Sequence, residues 1–341
     1  MSKLNPRRQA VLAIVVQEYI ATAQPIGSKM VVEEYGLKVS PATIRNEMKA
    51  LEEQGFLTHP HTSAGRVPTE EGYRYFVQHL LPDQPLTLDD QFTIQHLFHQ
   101  VGRETDQWAQ LAAAVLAHAS QMGALATSLR SDRCRFKHIE LVEVRHGLAL
   151  LVLVLHRGVV KQQMLSLDFG VSQEELSQLS NQLNDQLAGL TAGEMEGNAL
   201  ALPELGRQVV TVVHSLMARE DNPDNEQIFR EGLSHVLTQP EFLLAEDAHQ
   251  LVAVLEQPPL LGSIFENVRQ REGVQILIGG DGRYEPLRSL SLVLSRYGAP
   301  DGASGVLGIV GPVRMQYSRT IPLVRYVSQV LSDLVEQWYG A

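Results

Sequence analysis

The sequence predicts an α+β fold in which a small helical domain precedes a larger region of helices and antiparallel strands. Three observations predict it. Residues 1–81 hold three short helical periods marked by caps and prolines, then two short apolar runs around a polar loop. Residues 139–167 hold three apolar runs separated by short glycine-containing turns, which is typical of an antiparallel meander. A helical period over residues 322–337 closes the chain.

The first two helices are predicted from their terminal residues. Asn5 followed by Pro6 is a favourable N-cap and first-turn pair, and apolar residues at helical spacing extend this helix to about Ala21. Ser28 is placed to cap a second helix. Gly36 is expected to end that helix, because glycine adopts the left-handed conformation most easily.

The third helix is predicted from Pro41 to Gln54, with Ser40 as its N-cap. Its expected buried face consists of Ile44, Met48 and Leu51. The opposite face presents Thr43, Arg45, Asn46 and Lys49. These side chains suit DNA, because arginine can bind guanine, asparagine can bind adenine and threonine can touch a thymine methyl group. Three helices with a short turn before the third indicate a helix-turn-helix whose third helix enters the major groove.

The pattern from Phe56 to Pro68 suits two short strands joined by a polar loop, which predicts a wing. Arg66 is placed to reach a phosphate or the minor groove, and hydroxyl groups in the loop are typical phosphate donors. Thr69 is expected to cap a further helix. The residues that we expect at the DNA are Ser40, Thr43, Arg45, Asn46, Lys49, His61, Thr62, Ser63 and Arg66.

The net charge of −11 argues against a nucleic-acid partner, but the distribution of charge does not. Residues 1–80 carry nine basic and eight acidic side chains, a net charge of +1, so the net negative charge belongs to the rest of the chain. A winged helix used only for protein contacts stays open as an alternative. Glu47, Glu52 and Glu53 on the third helix would repel phosphate if they faced it.

Composition argues against a secreted protein, a membrane protein or an enzyme. Cys134 is the only cysteine, so no intrachain disulfide can form, and the thiol has no activating neighbour in the sequence. The longest apolar run, Leu148 to Leu155, is far shorter than the roughly 20 residues of a membrane helix, and the first residues do not resemble a signal peptide. No catalytic set of residues is apparent. We expect a cytoplasmic protein without a cofactor or catalytic activity.

Three further motifs favour ordinary structural roles. His59 with His61, and His96 with His99, lack further ligands nearby, so a metal site is not expected. The run from Gly279 to Gly282 lacks the lysine and hydroxyl residue of a phosphate loop, so a hairpin turn is expected there.

Beyond residue 81, the elements are predicted from periodicity. A linker at residues 82–85 precedes one long helix, 86–121, whose apolar face includes Phe92, Leu97 and Trp108. The predicted strands are 139–144, 148–155, 159–167, 274–278, 290–294 and 306–310. The other predicted helices are 173–187, 203–218, 226–237, 248–255, 261–270 and 322–337.

Several short runs of this sequence match a known protein family, in the same order and over nearly the full length of the chain. They are Val39–Glu47, Pro60–Thr69, Glu71–Arg74, Glu231–Leu233, Gln239–Phe242, Ile278–Gly280, Ser291–Val293 and Gly308–Tyr317. In these runs the sequence closely resembles the HrcA family of bacterial heat-inducible transcription repressors. Residues 23–26 and Asp281 depart modestly from the family pattern, and neither touches a residue expected to read bases.

The resemblance implies a fold, a target and partners. It implies a winged helix-turn-helix (residues 1–81), a GAF-like α+β domain (82–134 and 239–341) and an inserted dimerisation domain (135–238). It also implies repression of chaperone operons through an inverted-repeat operator called CIRCE, release on heat stress, and modulation by the chaperonin.

Charge also predicts that the DNA-binding form is a homodimer. A domain with almost no net charge cannot hold DNA tightly by charge alone, and an inverted repeat matches a two-fold pair of recognition helices. One alternative is a small-molecule-responsive winged-helix regulator with an effector in the GAF-like domain, although no convergent polar pocket can be read from the sequence. A second is a protein-interaction or enzymatic role with the winged helix as scaffold.

Overall fold

Helices and short antiparallel strands alternate along the chain in a computed structural model. It describes residues 4–36, 39–60, 65–102, 104–130, 134–156, 159–167, 170–195, 202–221, 227–243, 245–299 and 302–339. The predicted α+β class is confirmed. Contacts divide the chain into unit 1 (Met1–Ser128, Ile228–Gly298 and Gly305–Trp338) and unit 2 (Leu129–Gln227, Ala299–Ser304 and Tyr339–Ala341).

The elements of the described residues are numbered in chain order. The α-helices are α1 (Pro6–Thr22), α2 (Ser28–Tyr35), α3 (Pro41–Glu53), α4 (Glu70–Tyr75), α5 (Leu88–Gln100), α6 (Thr105–Ser120), α7 (Gln173–Leu187), α8 (Ala192–Met195), α9 (Glu204–Asp221), α10 (Leu233–Leu237), α11 (Ala245–Leu255), α12 (Pro258–Arg269) and α13 (Tyr317–Tyr339). The strands are β1 (Leu57–Thr58), β2 (Val67–Pro68), β3 (Gly123–Thr127), β4 (Phe136–Arg145), β5 (Leu148–Leu155), β6 (Val160–Ser166), β7 (Ile228–Glu231), β8 (Val274–Ile278), β9 (Leu290–Gly298) and β10 (Ser304–Pro312).

The N-terminal segment (residues 4–80) consists of α1–α4, the antiparallel β1–β2 ribbon and a π-helical turn that follows α4. The Asn5 side chain caps α1 by accepting a first-turn backbone N–H at 2.8 Å, as predicted. The prediction for Ser28 is wrong, because Gly27 is the N-cap of α2 and Ser28 is its first residue. The helix therefore begins one residue earlier than expected, directly after Gly27, and the preceding residue, Ile26, pairs through its backbone with Arg66 beside the ribbon.

A five-stranded sheet with strand order β7-β3-β10-β9-β8 forms the centre of the rest of unit 1. β3 is antiparallel to both neighbours, with Thr127 directly opposite Ile228 and Ala126 opposite Leu307. α6 packs on β3 and α12 packs on β9. Every residue of β10 is buried, and the Tyr297 hydroxyl donates to the Thr127 carbonyl inside this core.

The predicted single helix 86–121 is wrong, because the chain breaks between α5 and α6. Val101 is extended, and the indole N–H of Trp108 donates to the Gly102 carbonyl at 2.8 Å across the break. The break lets α5 turn a different face inward from the one expected. Phe92, expected on the buried face, is 72% exposed, and Leu97 is 37% exposed.

The predicted helix 226–237 is also wrong, because its first part is strand β7 and only α10 is helical. Pairing with β3 decides this conformation over local periodicity. The sequence pattern does not predict β3 either, since its Gly-Ala-Leu-Ala-Thr run has little strand propensity. A side chain at Gly123 would not fit, because a Cβ there would lie 2.8 Å from Val310 Cγ1.

The remaining predicted elements are present; β5 and α7 have the predicted bounds, and most of the others have shifted ends. β8 has the predicted bounds, and the expected hairpin at Gly279 is confirmed, since β8 and β9 are antiparallel neighbours joined by residues 279–289. α13 begins at Tyr317, before the expected start at Pro322, and includes that proline. Within the described residues, no helix combines the length and hydrophobicity needed to cross a bilayer.

Unit 2 contains the predicted antiparallel meander β4-β5-β6. Residues along β5 alternate between buried and half-buried. The buried face packs against α7 and α9 in a core that includes Phe136, Ile139, Leu141, Leu151, Leu153, Leu176, Leu183, Val213 and Met217. The main segment of unit 2 ends at Gln227, whereas the insertion is expected to end at residue 238, because Ile228 begins a strand of the unit 1 sheet.

The second face of the meander, called the outer face below, is accessible and largely apolar. His138, Glu140 and Gln162 also lie on it, opposite Val154 and Val152. Its apolar residues are Val142, Leu150, Val152, Val154, Val160 and Met164. Val142, Leu150 and Met164 lie in register across the three strands. Val142 is 42% exposed and Met164 is 43% exposed.

Candidate nucleic-acid interface

Capping and burial fix both the start and the face of α3. The Ser40 hydroxyl accepts the backbone N–H of Thr43 at 3.2 Å, and the two hydroxyl groups lie 3.0 Å apart. The predicted buried face is confirmed, since Ile44, Met48 and Leu51 are all buried. Ser40 therefore orients the helix through its cap, and the partly exposed Thr43 is joined to that cap.

The other predicted reading residues of α3 face solvent. Arg45, Asn46 and Lys49 are exposed. Within the part of the chain that the structure describes, the side chains of Arg45 and Asn46 have neither a hydrogen bond nor an ion pair. Lys49 makes only a loose pair with Glu53, at 3.9 Å between two solvent-exposed groups. α3 thus presents an amide and two cations that are available to a ligand.

Two of the three glutamates on α3 that would repel phosphate are closely paired, whereas Glu53 is exposed and pairs only loosely with Lys49. Glu47 accepts from Arg8 Nε at 3.0 Å, lies 3.7 Å from Arg7 Nη1, and its side chain is only 15% exposed. Glu52 pairs with Arg66 at 2.8 Å and also contacts His59. The negative charges of Glu47 and Glu52 are therefore compensated by neighbouring basic side chains and do not project from the exposed face of α3.

Arg66 is less available than the sequence suggests. Its backbone pairs with Ile26, its guanidinium group is bound to Glu52, and its side chain is 24% exposed. A phosphate contact from this residue would compete with Glu52. His61, Thr62 and Ser63, the other expected residues of the loop, lie outside the described residues.

Sequence reasoning missed Arg7 and Arg8. Both lie in the first turn of α1 and meet Glu47 of α3 only in the folded segment. Their sequence separation from Glu47 gives no periodic signal that would pair them. The only signal in the sequence is that two adjacent arginines follow Pro6, and this does not show that they lie next to α3 in the fold.

Cys134 does not offer reactive chemistry. It is buried, and its backbone N–H donates to Asp221 at 2.7 Å. Burial, reinforced by the Asp221 carboxylate, raises the pKa of the thiol to about 12. The thiol therefore stays protonated near neutral pH, whereas the thiolate is the nucleophilic form.

Comparison with known proteins gives the family. A family model described as the HrcA protein C terminal domain matches residues 106–321. The heat-inducible transcription repressor HrcA of Roseiflexus castenholzii is 43% identical over 350 residues, covering 99% of this chain and 96% of the relative. The protein of the same name from Herpetosiphon aurantiacus is 43% identical over 345 residues, covering 99% and 97%. That from Dehalococcoides mccartyi is 40% identical over 337 residues, with the same coverage of 99% and 97%.

One solved structure supports the fold. It is described as the crystal structure of a hypothetical protein at 2.2 Å resolution, and it matches with a TM-score of 0.65 and 23% identity over 98% of this chain and 99% of that one. The curated relatives confirm the resemblance seen in the sequence, and because they are transcription repressors they also confirm that the chain is not an enzyme. The chain belongs to the HrcA family of heat-inducible transcription repressors.

Proposed function

We propose that this repressor binds double-stranded DNA through a winged helix-turn-helix formed by α1–α3 and the β1–β2 ribbon, with α3 in the major groove. One observation carries the proposal. Arg45 and Asn46 are exposed on α3 without partners in the described residues, while the opposite face of the helix is buried. A side chain that reads base edges must be free to enter the groove, and its helix must be held in place. The exposure of Arg45 and Asn46 supports the first requirement, and the buried face of α3 supports the second.

The side chains divide into base readers and backbone contacts. Arg45 suits a bidentate contact with guanine, and Asn46 suits adenine. Lys49, with Ser63 and Arg66, supplies contacts to phosphates, which fix position without reading sequence. Because Arg66 is already paired with Glu52, its role depends on exchanging that carboxylate for a phosphate.

The repressor acts as a homodimer held together by unit 2, the proposed dimerisation domain. The outer face supports this assignment, since apolar side chains in register across three strands leave an accessible surface of the kind found at subunit interfaces. A two-fold pair of N-terminal segments then matches an inverted repeat. The five-stranded sheet with its surrounding helices corresponds to the GAF-like domain.

The proposed operator is the CIRCE inverted repeat of chaperone operons, with release on heat stress and the chaperonin as modulator. The family membership supports this target, because the relatives are named heat-inducible repressors. The alternative of a regulator that responds to a small molecule receives no support from these relatives.

Selection of bound duplexes from a random pool tests the target directly. We expect the full chain to enrich an inverted repeat at low temperature, to lose it at heat-shock temperature, and to retain it longer when chaperonin is present. Affinity for the selected repeat should fall steeply with salt, by a log–log slope of about −0.9 for each phosphate contacted. Enrichment of no sequence, or of a repeat without two-fold symmetry, would contradict the proposal.

Asn46→Ala is expected to weaken binding to the selected repeat by about 1 to 3 kcal/mol and to relax preference at one base pair of each half-site. The amide is lost, but the fold is not disturbed, because Asn46 is exposed. Binding to operators with each base pair changed in turn measures both effects. Asn181→Ala, an exposed asparagine on α7 of unit 2, is the matched control and should bind as wild type. Equal losses on operator and random DNA for Asn46→Ala would remove this residue from base reading.

A further inference from the structure

Two arginines attach the N-terminal segment to the sheet-bearing part of unit 1. Arg74, on α4, donates from Nε to the Asp281 carboxylate at 3.0 Å and from Nη2 to the Ile278 carbonyl at 2.9 Å. Arg314, in the turn between β10 and α13, donates from Nη1 to the Ile20 carbonyl near the end of α1 at 3.3 Å. Arg74 belongs to the N-terminal segment and reaches the sheet-bearing part, whereas Arg314 belongs to the sheet-bearing part and reaches the N-terminal segment. The segment is therefore held at two separate places.

Each arginine is itself held in direction. Arg314 donates to the Gln239 side chain at 2.9 Å and contacts the Glu241 carboxylate, so two side chains of unit 1 aim it at α1. Arg74 also pairs with Glu70 at 3.1 Å and Glu71 at 3.2 Å on its own helix. A guanidinium group with several donors engaged fixes direction as well as distance.

The turn that receives Arg74 has an uncommon backbone. All four residues from Gly279 to Gly282 have positive φ, including Asp281 at 51°, where a residue other than glycine is rare. The Asp281 carboxylate also accepts the backbone N–H of Ile278 at 3.3 Å. A Cβ on Gly279 would lie 2.3 Å from the Glu70 carboxyl carbon, so the turn lies directly against α4. This conformation brings the Ile278 carbonyl and the Asp281 carboxylate together onto one guanidinium group.

α4 is joined closely to the end of α3. The Thr69 hydroxyl donates to the Gly55 carbonyl at 2.6 Å and accepts the N–H of Gly72 at 3.1 Å. Gly72 lies so close to the Phe56 carbonyl that a Cβ would be 2.2 Å from its oxygen. A contact that fixes α4 therefore also fixes the direction of α3.

We propose that Arg74 and Arg314 are positioning residues for operator binding, which fix the direction of α3 relative to the unit 1 sheet and thereby set the spacing at which two copies read two half-sites. This inference rests on the proposed function, because it needs a dimer on an inverted repeat. Half-site spacing follows from the separation and direction of the two recognition helices. Neither arginine is required to touch DNA.

The test compares wild type with Arg74→Gln, Arg314→Gln and the double variant on synthetic duplexes. The duplexes carry the selected inverted repeat, the same repeat with its spacer changed in steps of one base pair, or a single half-site. We expect wild type to lose affinity at least about tenfold when the spacer changes by a few base pairs. We expect the double variant to bind the natural spacing about tenfold more weakly and all spacings within about threefold of each other, with half-site affinity unchanged.

Three further variants separate positioning from other roles. Arg74→Lys keeps the charge but not the two-point contact, so it should behave like Arg74→Gln; a phosphate-binding Arg74 would instead keep its affinity as lysine. Asp281→Asn removes the charge that Arg74 contacts, leaves the N-terminal segment unaltered and keeps a residue type that tolerates positive φ. It should change the spacing profile in the same direction as Arg74→Gln. This variant therefore tests the inference even if the Arg74 variants are unstable. Arg288→Gln removes an exposed arginine beside the same turn and should leave the profile unchanged.

Two results overturn the inference. One is a double variant with the wild-type spacing profile, and the other is an equal loss on half-site and inverted repeat. A wild-type chain that binds the inverted repeat no more tightly than a half-site overturns the proposed function as well, so the two failures are distinguishable.

Discussion

Glutamate in place of both Val142 and Met164 is expected to separate the dimer and to lower affinity for the inverted repeat by about 10² to 10⁴-fold, because linked half-site binding is lost. The two residues lie on the outer face, on either side of Leu150 and in register with it. In a two-fold interface each substitution occurs twice. The new carboxylates would lose hydration in an apolar contact without gaining partners, which strongly disfavours association.

A matched control adds the same charge elsewhere on unit 2. Gln182→Glu with Gln186→Glu places two carboxylates on exposed positions of α7, which packs against the opposite face of the meander. Sedimentation velocity reports the oligomeric state, and mobility shift on the selected repeat reports affinity. A Val142→Glu, Met164→Glu protein that stays dimeric would place the interface elsewhere. A monomer with wild-type affinity would show that pairing is not required.

Gly72→Ala is expected to destabilise the N-terminal segment by about 3 kcal/mol, although glycine to alanine within a helix ordinarily stabilises. The reason is the backbone of Phe56. A Cβ at residue 72 would lie 2.2 Å from the Phe56 carbonyl oxygen, and that oxygen accepts the N–H of Thr69 at 3.1 Å. Either this hydrogen bond or the position of α4 must be given up. The expected result is a lower thermal unfolding midpoint together with loss of operator binding.

Gly262→Ala in α12 is the control for helix propensity. Among the described residues, no atom outside the helix backbone would lie within 4 Å of a Cβ on Gly262, so this substitution should raise stability by up to about 1 kcal/mol. Calorimetry on both variants gives the comparison. Equal unfolding midpoints for Gly72→Ala and Gly262→Ala would contradict the prediction. They would mean that the backbone around Phe56 can move to accept a Cβ at residue 72 without loss of stability.

Local features of the candidate site could be predicted from sequence, and tertiary pairings could not. The cap at Ser40 and the buried positions of α3 follow from residue type and helical period, which act within a few residues. The pairing of Glu47 with Arg8 joins residues on different helices and leaves no periodic trace. For the same reason the sequence assigns Arg66 to DNA alone, since its contact with Glu52 exists only after the ribbon folds back on α3.

The same limit explains the errors in the fold. The meander of unit 2 is predictable, because its strands are apolar, long and separated by clear turns. β3 and β7 are not, because each is short and pairs with strands that are distant in the sequence: β7 pairs with β3, and β3 pairs with both β7 and β10. The break at Val101 depends on the Trp108 contact with a backbone carbonyl, which periodicity does not encode.

The direct opposition of Thr127 and Ile228 means that β3 and β7 pair as a hairpin does, with residues 129–227, the main segment of unit 2, in place of the turn. Cross-strand partners in an antiparallel pair lie only about 5 Å apart, a gap that a turn of a few residues also closes. The segment 129–227 therefore begins and ends at neighbouring points of the unit 1 sheet, and the pairing of β3 with β7 is not interrupted. The strand order of the unit 1 sheet therefore requires only that the two ends of segment 129–227 lie close together, which a short turn would also provide.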